Sequence, residues 1–220
     1  MSYKIIVARY NEDIGWLNSV MNNCIIYNKG KPFNTKNEIF NSIIYNKSFS
    51  TKNEIFLKNV GRESETYLNY IITNYNNLPD VIVFTQAKIY DHIGANDINY
   101  LLTIKDQALH NGISTHTIIE EFDNPAFTPE WNYSNNEYFL KDNYKDKPIK
   151  FIDWFKKNIN ENYPDPIIHY PNGIFAVKKE KILKYPIEYY KNFILEVNHH
   201  INPAEGHFFE RSWYYIFNQY

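Results

Sequence analysis

Apolar residues change their spacing several times along the chain, and the changes mark alternating strands and helices. Residues 3–8 form a short β-rich run, and the polar stretch Arg9-Tyr10-Asn11-Glu12-Asp13 follows at once. Ile14, Leu17, Val20 and Met21 then recur at helical spacing, with Asn11 placed as a cap. After Gly61, the residues Ser64, Tyr67, Leu68, Ile71, Ile72 and Tyr75 share one helical face. Residues 74–79 read as a turn. The unbroken apolar run 81–84 reads as a buried central strand. Residues 97–111 have a helical pattern, 115–122 a strand pattern, and 123–148 the composition of a long loop.

The second half continues with an amphipathic helix over 151–158, a strand over 173–177 and a short basic helix. Pro186 opens a helix with Tyr189, Tyr190, Phe193, Ile194 and Val197 inward. The last helix begins at Asn202-Pro203, with Asn as cap and Pro at the first helical position. Phe209, Trp213, Ile216 and Phe217 form its core face, and His207, Glu210, Arg211 and Tyr214 the adjoining one. Early strand–helix alternation followed by a mixed second half predicts a Rossmann-type α/β single domain over residues 1–220, with a mixed, mostly parallel sheet. Residues 5–7 and 81–84 are expected as neighbouring strands. Their C-terminal ends should face one cleft, where ligands bind in doubly wound sheets.

One segment interrupts this pattern. Ile25-Ile26-Tyr27-Asn28-Lys29 returns as Ile43-Ile44-Tyr45-Asn46-Lys47, and Thr35-Lys36-Asn37-Glu38-Ile39-Phe40 returns as Thr51-Lys52-Asn53-Glu54-Ile55-Phe56. Two copies are too few for a solenoid, so residues 24–56 read as a tandem duplication inside one domain. One copy is expected to hold the ancestral position and the other to be an added hairpin or flap.

Composition narrows the function class. Aromatics make up 18% of the 220 residues, enough for a Tyr- and Phe-rich core. A sugar site would use the same rings for stacking and their hydroxyls for bonding, although an AT-rich genome raises Asn, Ile, Lys and Tyr together. The formal net charge of -2 gives no global basic field, so nucleic acid is not the expected partner. The lone Cys24 forms no internal disulfide, and no apolar run approaches the roughly 20 residues of a membrane span. The chain opens on a strand pattern without a signal peptide, so a cytoplasmic location is expected.

Four constellations offer chemistry. Arg9-Tyr10-Asn11-Glu12 ends the first strand, or is simply a surface loop with a cap. Asn59-Val60-Gly61-Arg62-Glu63 precedes a helix, whose N-terminus favours anions, or is an ordinary helix start with Arg62 paired to Glu63 or Glu65. Thr85-Gln86-Ala87-Lys88 follows the apolar strand, with Asp91 and His92 close behind. Glu205-Gly206-His207-Phe208-Phe209-Glu210-Arg211 lies in the last helix. There Glu205 doubles as a capping-box partner for Asn202, and Glu210 as a salt-bridge partner for Arg211.

These motifs carry a resemblance. The Tyr-Asn-Glu loop resembles the strand-end loop of GT-A glycosyltransferases, with Ala8-Arg9 where Pro-x would stand. The resemblance implies that Tyr10 stacks on a base, Asn11 and Glu12 lie against the nucleotide, and Arg9 meets phosphate. Thr85-Gln86-Ala87 occupies the place of the metal-binding Asp-x-Asp, so a metal-independent mechanism is implied. Arg9, Arg62, Lys88 and Arg211 would then neutralise the diphosphate. No cofactor is expected, and Mn²⁺ through Asp91 and His92 is the alternative. The segment from Pro203 resembles the Pro-Asp-Glu-x-Phe-Phe segment of core-2 and xylosyl branching transferases. That likeness implies Glu205 as catalytic base, with Glu210 and His207 as rivals because one residue is inserted.

The succession Tyr-Asn-Glu, Asn-Val-Gly-Arg-Glu, Leu-Pro-Asp-Val-x-Val-Phe, Asn172-Gly173-Ile-Phe-Ala-Val and Glu-Arg-x-Trp is similar to an uncharacterised GT-A-like family. It implies a nucleotide-sugar donor and a glycan or other hydroxyl acceptor. The alternative is an inactive sugar- or nucleotide-binding module on the same fold.

Overall fold

Strands here are fixed by which side of a sheet each residue can bury. In the computed structural model, which describes residues 1–31, 53–115, 120–122, 150–164, 167–169 and 173–218, strand β1 (Tyr3–Arg9) buries Ile6 on one face and Ile5 and Val7 on the other. Strand β4 (Val81–Gln86) does the same, with Ile82 and Phe84 opposed to Val81 and Val83. Double-sided burial is what an unbroken apolar run requires.

Between them in sequence come β2 (Cys24–Asn28), β3 (Glu54–Phe56) and helix α1 (Arg62–Asn74). After β4 follow α2 (Tyr90–Ile93), α3 (Ile98–Asn111), β5 (Ile113–Thr115), β6 (Glu120–Phe122), α4 (Phe151–Asn158) and β7 (Ile167–His169). The chain closes with β8 (Phe175–Lys178), α5 (Lys179–Ile182), α6 (Ile187–Val197) and α7 (Ala204–Asn218).

The main sheet has six strands in the order β3-β2-β1-β4-β8-β5, and β6 pairs with β7 separately. β3, β2, β1 and β4 run parallel, while β8 is antiparallel to both β4 and β5. The fold is thus α/β and Rossmann-like, with a mostly parallel sheet in a single domain. Ile5 lies opposite Val83, and Ala8 opposite Gln86, so the two predicted neighbours are neighbours.

The two faces of the sheet are packed with different materials. α1, α4, α6 and α7 bring Tyr67, Tyr70, Trp154, Phe193, Phe208, Phe209 and Trp213 onto one face. α3 and a 3₁₀ helix over Gly15–Asn23 cover the other with Leu17, Leu101, Ile104 and Ala108. The Tyr and Phe excess is therefore spent largely on one interface. Tyr67 sits 4.8 Å from Phe84, and Phe175 sits 5.3 Å from Trp213, centroid to centroid, within the range where ring pairs add to plain burial. Among the described residues, no helix is long and apolar enough to cross a membrane.

Several local expectations are corrected. The helix expected from Ile14, with Asn11 as cap, is a 3₁₀ helix preceded by Ile14, which makes no side-chain cap. Asn11 Oδ1 instead accepts from the Lys31 N–H at 2.9 Å, and Asp13 Oδ1 takes the Gly15 N–H at 2.9 Å. Asn18, Ser19, Asn22 and Asn23 favour such tight turns, because their side chains compete for the backbone. The single strand expected over 115–122 is two, β5 and β6, in different sheets. The loop at 123–148, the repeat strand at 43–45 and Asn172 lie outside the described residues.

Candidate functional site

β1 ends where its neighbours part: β2 lies on one side and β4 on the other, each reached by its own connection. Parallel strands whose order reverses in this way leave a crevice at their carboxyl ends. A cleft of about 300 Å³ lies there, lined by Ala8, Arg9, Tyr10, Glu12, Lys29, Asn59, Arg62, Glu63, Gln86, Lys88, Asp91 and His92. Three of the four sequence constellations therefore meet at one place. Four cations face three carboxylates in this lining.

The strand-end loop is held by its own polar atoms. Arg9 is buried; its Nε donates to Glu12 O at 2.9 Å and an Nη to Lys31 O at 3.1 Å. Glu12 Oε2 accepts the N–H groups of Tyr10 at 2.7 Å and Asn11 at 3.1 Å. Glu12 thus shapes the loop, and Tyr10 is left half exposed at the rim. Gly30 closes against the same loop: a Cβ there would come within 1.4 Å of Tyr10 O.

At the end of β4 the side chains are neutral. Thr85 is fully buried, its hydroxyl donating to Gln86 O at 3.0 Å, and Gln86 Oε1 lies 2.8 Å from His92 Nε2. Lys88 and Asp91 form an exposed ion pair of 2.8 Å. Among the described residues, no three His, Cys, Asp or Glu side chains gather as a metal site.

The opposite wall is the start of α1. Gly61 (φ 65°) and Arg62 (φ 51°) are both left-handed, and for Arg62 this is a strained conformation, of a kind that concentrates at functional sites. The close approach that Gly61 permits is to protein. An added Cβ would lie 2.5 Å from Glu65 Cβ and 2.7 Å from Val197 O, and the Gly61 N–H donates to His200 O. The turn is clamped by Lys29, which the sequence reading passed over. Its ammonium donates to Val60 O and Arg62 O at 2.5 Å each and meets Glu65 Oε2 at 2.7 Å. Burial pulls Lys29 below the usual lysine value, with Glu65 and Glu63 opposing the shift. A lysine that follows an Asn at a strand end is the only sequence signal it carries, and Lys47 in the repeat carries the same one.

The fourth constellation reaches the cleft through Arg62. An Arg62 Nη lies 3.2 Å from His207 Nδ1 and 3.0 Å from Nε2. Burial, helped by Arg62 and Arg211, pulls the His207 imidazole down to about 3, so the ring is neutral at ordinary pH. Glu205 is buried in the first turn of α7. Arg211 turns back on its own helix, donating to His207 O at 2.9 Å, with Glu210 3.9 Å away. Glu205, His207, Glu210 and Arg211 are not part of the described lining. Gly173 (φ 58°) sits just behind it, beside the Glu63 carboxyl.

No curated protein and no solved structure matches the chain. A family model matches it over residues 5–220, nearly its whole length, and the chain belongs to that family, described as "Protein of unknown function (DUF3431)".

Proposed function

We propose that this chain is a glycosyltransferase of the GT-A type, taking a sugar from a nucleotide-diphosphate donor to an acceptor hydroxyl without a bound metal. The observation that carries the reading is the cleft at the carboxyl ends of β1 and β4, with Tyr10 at its rim and Arg9, Lys29, Arg62 and Lys88 in its walls. Its volume suits a small ligand. Tyr10 offers a ring face to a base, and Arg62 and Lys88, both partly exposed, offer charge to a diphosphate. Gln86 stands where a metal-binding carboxylate would, so the leaving diphosphate is neutralised by side-chain cations.

In the reaction the acceptor oxygen bonds to the anomeric carbon as the bond from that carbon to the diphosphate oxygen breaks. The acceptor proton passes to a base. A single displacement of this kind inverts the anomeric configuration. UDP-, GDP- and ADP-linked sugars should be screened by thermal shift, followed by assay for free nucleoside diphosphate. A donor that raises the melting point and releases its nucleotide supports the proposal. A donor that binds with no release identifies a binding module instead. If no donor shifts the protein, the cleft serves another ligand.

A further inference from the structure

We infer that Glu63 is the catalytic base of this cleft, an assignment that rests on the glycosyltransferase reading. Three carboxylates line the cleft, and two are already engaged. Glu12 accepts two backbone N–H groups of its own loop. Asp91 is exposed and paired with Lys88 at 2.8 Å. Glu63 is buried to 7% exposure, reaches the cleft, and is met only loosely by Arg62, whose Nε stands 3.6 Å away.

The surroundings of Glu63 are built to keep it there. A Cβ on Gly173 would lie 3.4 Å from Glu63 Cγ and 3.6 Å from Oε1, so the glycine leaves space beside the carboxyl. Tyr67 holds that glycine by donating to its carbonyl at 2.9 Å. β8 is antiparallel to β4 and begins at Phe175 opposite Phe84, so Gly173 and Glu63 lie over the carboxyl end of β4, near Gln86. Glu63 thus brings a carboxylate from α1 to the end of β4 in the role of base, not of metal ligand. A general base must come within hydrogen-bond reach of the proton it takes, and Glu63, buried and lining the cleft, is placed to meet an acceptor that stands there.

In the step Glu63 takes the acceptor proton while the acceptor oxygen bonds to the anomeric carbon. The diphosphate departs with the electron pair of the broken bond, and Arg62, next in sequence, faces its charge.

Water serves as the acceptor in the test, so no glycan need be known, and azide serves as a nucleophile that has no proton to lose. Wild type, Glu63→Gln and Glu63→Asp are assayed with the UDP-, GDP- and ADP-sugar panel for nucleoside diphosphate release. Affinity for free UDP, GDP and ADP is measured by calorimetry and reports folding of the site. Glu63→Gln should lower release to water by about a hundredfold or more. It should hold nucleotide affinity within about threefold and keep azide-driven release, because azide needs no base. Glu63→Asp, which withdraws the carboxylate by one methylene, should fall between. Unchanged release to water in Glu63→Gln overturns the assignment, as does equal loss with water and azide. Loss in Glu205→Gln with normal Glu63→Gln moves the base to α7. A wild type that binds nucleotide but releases nothing to water or azide refutes the transferase reading itself, and the base with it.

Discussion

His207 makes the clearest residue-scale prediction. Folded, it takes up a proton only near pH 3; unfolded, it does so near the ordinary 6.5. Between those values the unfolded chain binds more protons, so stability falls as pH drops from 6.5 toward 3, by at most about 1.4 kcal/mol per pH unit. Above 6.5 the residue contributes no pH dependence. Asp80, pulled to about 2 by Lys179 and Ser2, loses its contribution only below its ordinary 3.8, and Glu188, lowered by a backbone hydrogen bond and by Lys191, only below its ordinary 4.5, so the window from pH 5 to 6 lies above both. Urea unfolding across that window should show a shallower slope in His207→Gln than in wild type. An identical slope would mean that the ring titrates normally in the fold.

Lys29 carries a second residue-scale prediction. It is 5% exposed in its side chain and bonded to Glu65 and two carbonyls, so Lys29→Met strands a buried carboxylate. The expected loss is about 3–5 kcal/mol by urea unfolding. Adding Glu65→Gln should recover much of it, since the stranded charge goes too. Simple additivity of the two losses would show that the pair is not coupled. Arg9, Tyr10, Arg62, Gln86 and Lys88 were readable in the sequence because strand-end and helix-start patterns announce such residues. Lys29 was not, and Glu63 was readable only as a partner of Arg62, since their places come from contacts with α1 and Gly173 that no local pattern encodes.

At the scale of elements, β1, β4 and the long helices were legible because burial on fixed faces leaves a period. The 3₁₀ helix left no such mark, being set by turn chemistry, and neither did the placing of β5 and β6 in different sheets, which strand pairing decides. The duplication gives this scale its test. The described strands come one from each copy: β2 from the first and β3 from the second. Deleting residues 41–56 leaves a single copy that keeps Gly30, with Glu38, Ile39 and Phe40 free to replace β3. Deleting residues 25–42 also leaves one copy, but puts Ser48 where Gly30 stood. A side chain there meets Tyr10 O, at 1.4 Å for its Cβ. The first deletion should fold with a melting point close to wild type. The second should be weaker by about 1–3 kcal/mol, the usual scale of overpacking. Equal behaviour of the two would mean that the loop at Gly30 can move aside, and unfolding of the first would mean that both copies belong to the core.

The whole molecule decides what the cleft can hold, because no single element makes it. β1 supplies Arg9, the loop after it Tyr10, β4 supplies Gln86, the turn into α2 supplies Lys88, and α1 supplies Arg62. Strand order and a left-handed turn bring them together; the motif resemblance groups Arg9, Arg62 and Lys88 in the same way, while Arg211, grouped with them, turns back on its own helix outside the lining. Neutral Thr85 and Gln86 at the end of β4 are poor ligands for a hard cation, which prefers charged oxygen donors. Binding of UDP, GDP or ADP should therefore survive EDTA and weaken as salt rises, since partly exposed cations are screened. Arg62→Ala should cost about 1.5–3 kcal/mol of binding, the worth of bonds to a charged group, or roughly ten- to a hundredfold in Kd. Asp91→Asn should leave affinity equal or better, because it releases Lys88 from its 2.8 Å partner. Calorimetry on wild type and the two variants, with and without chelator and over a salt series, measures all four effects. If EDTA abolished binding, Mn²⁺ restored it and Asp91→Asn lost it, the diphosphate would be held by a metal on Asp91 and His92. The cations in the walls would then serve the fold more than the ligand.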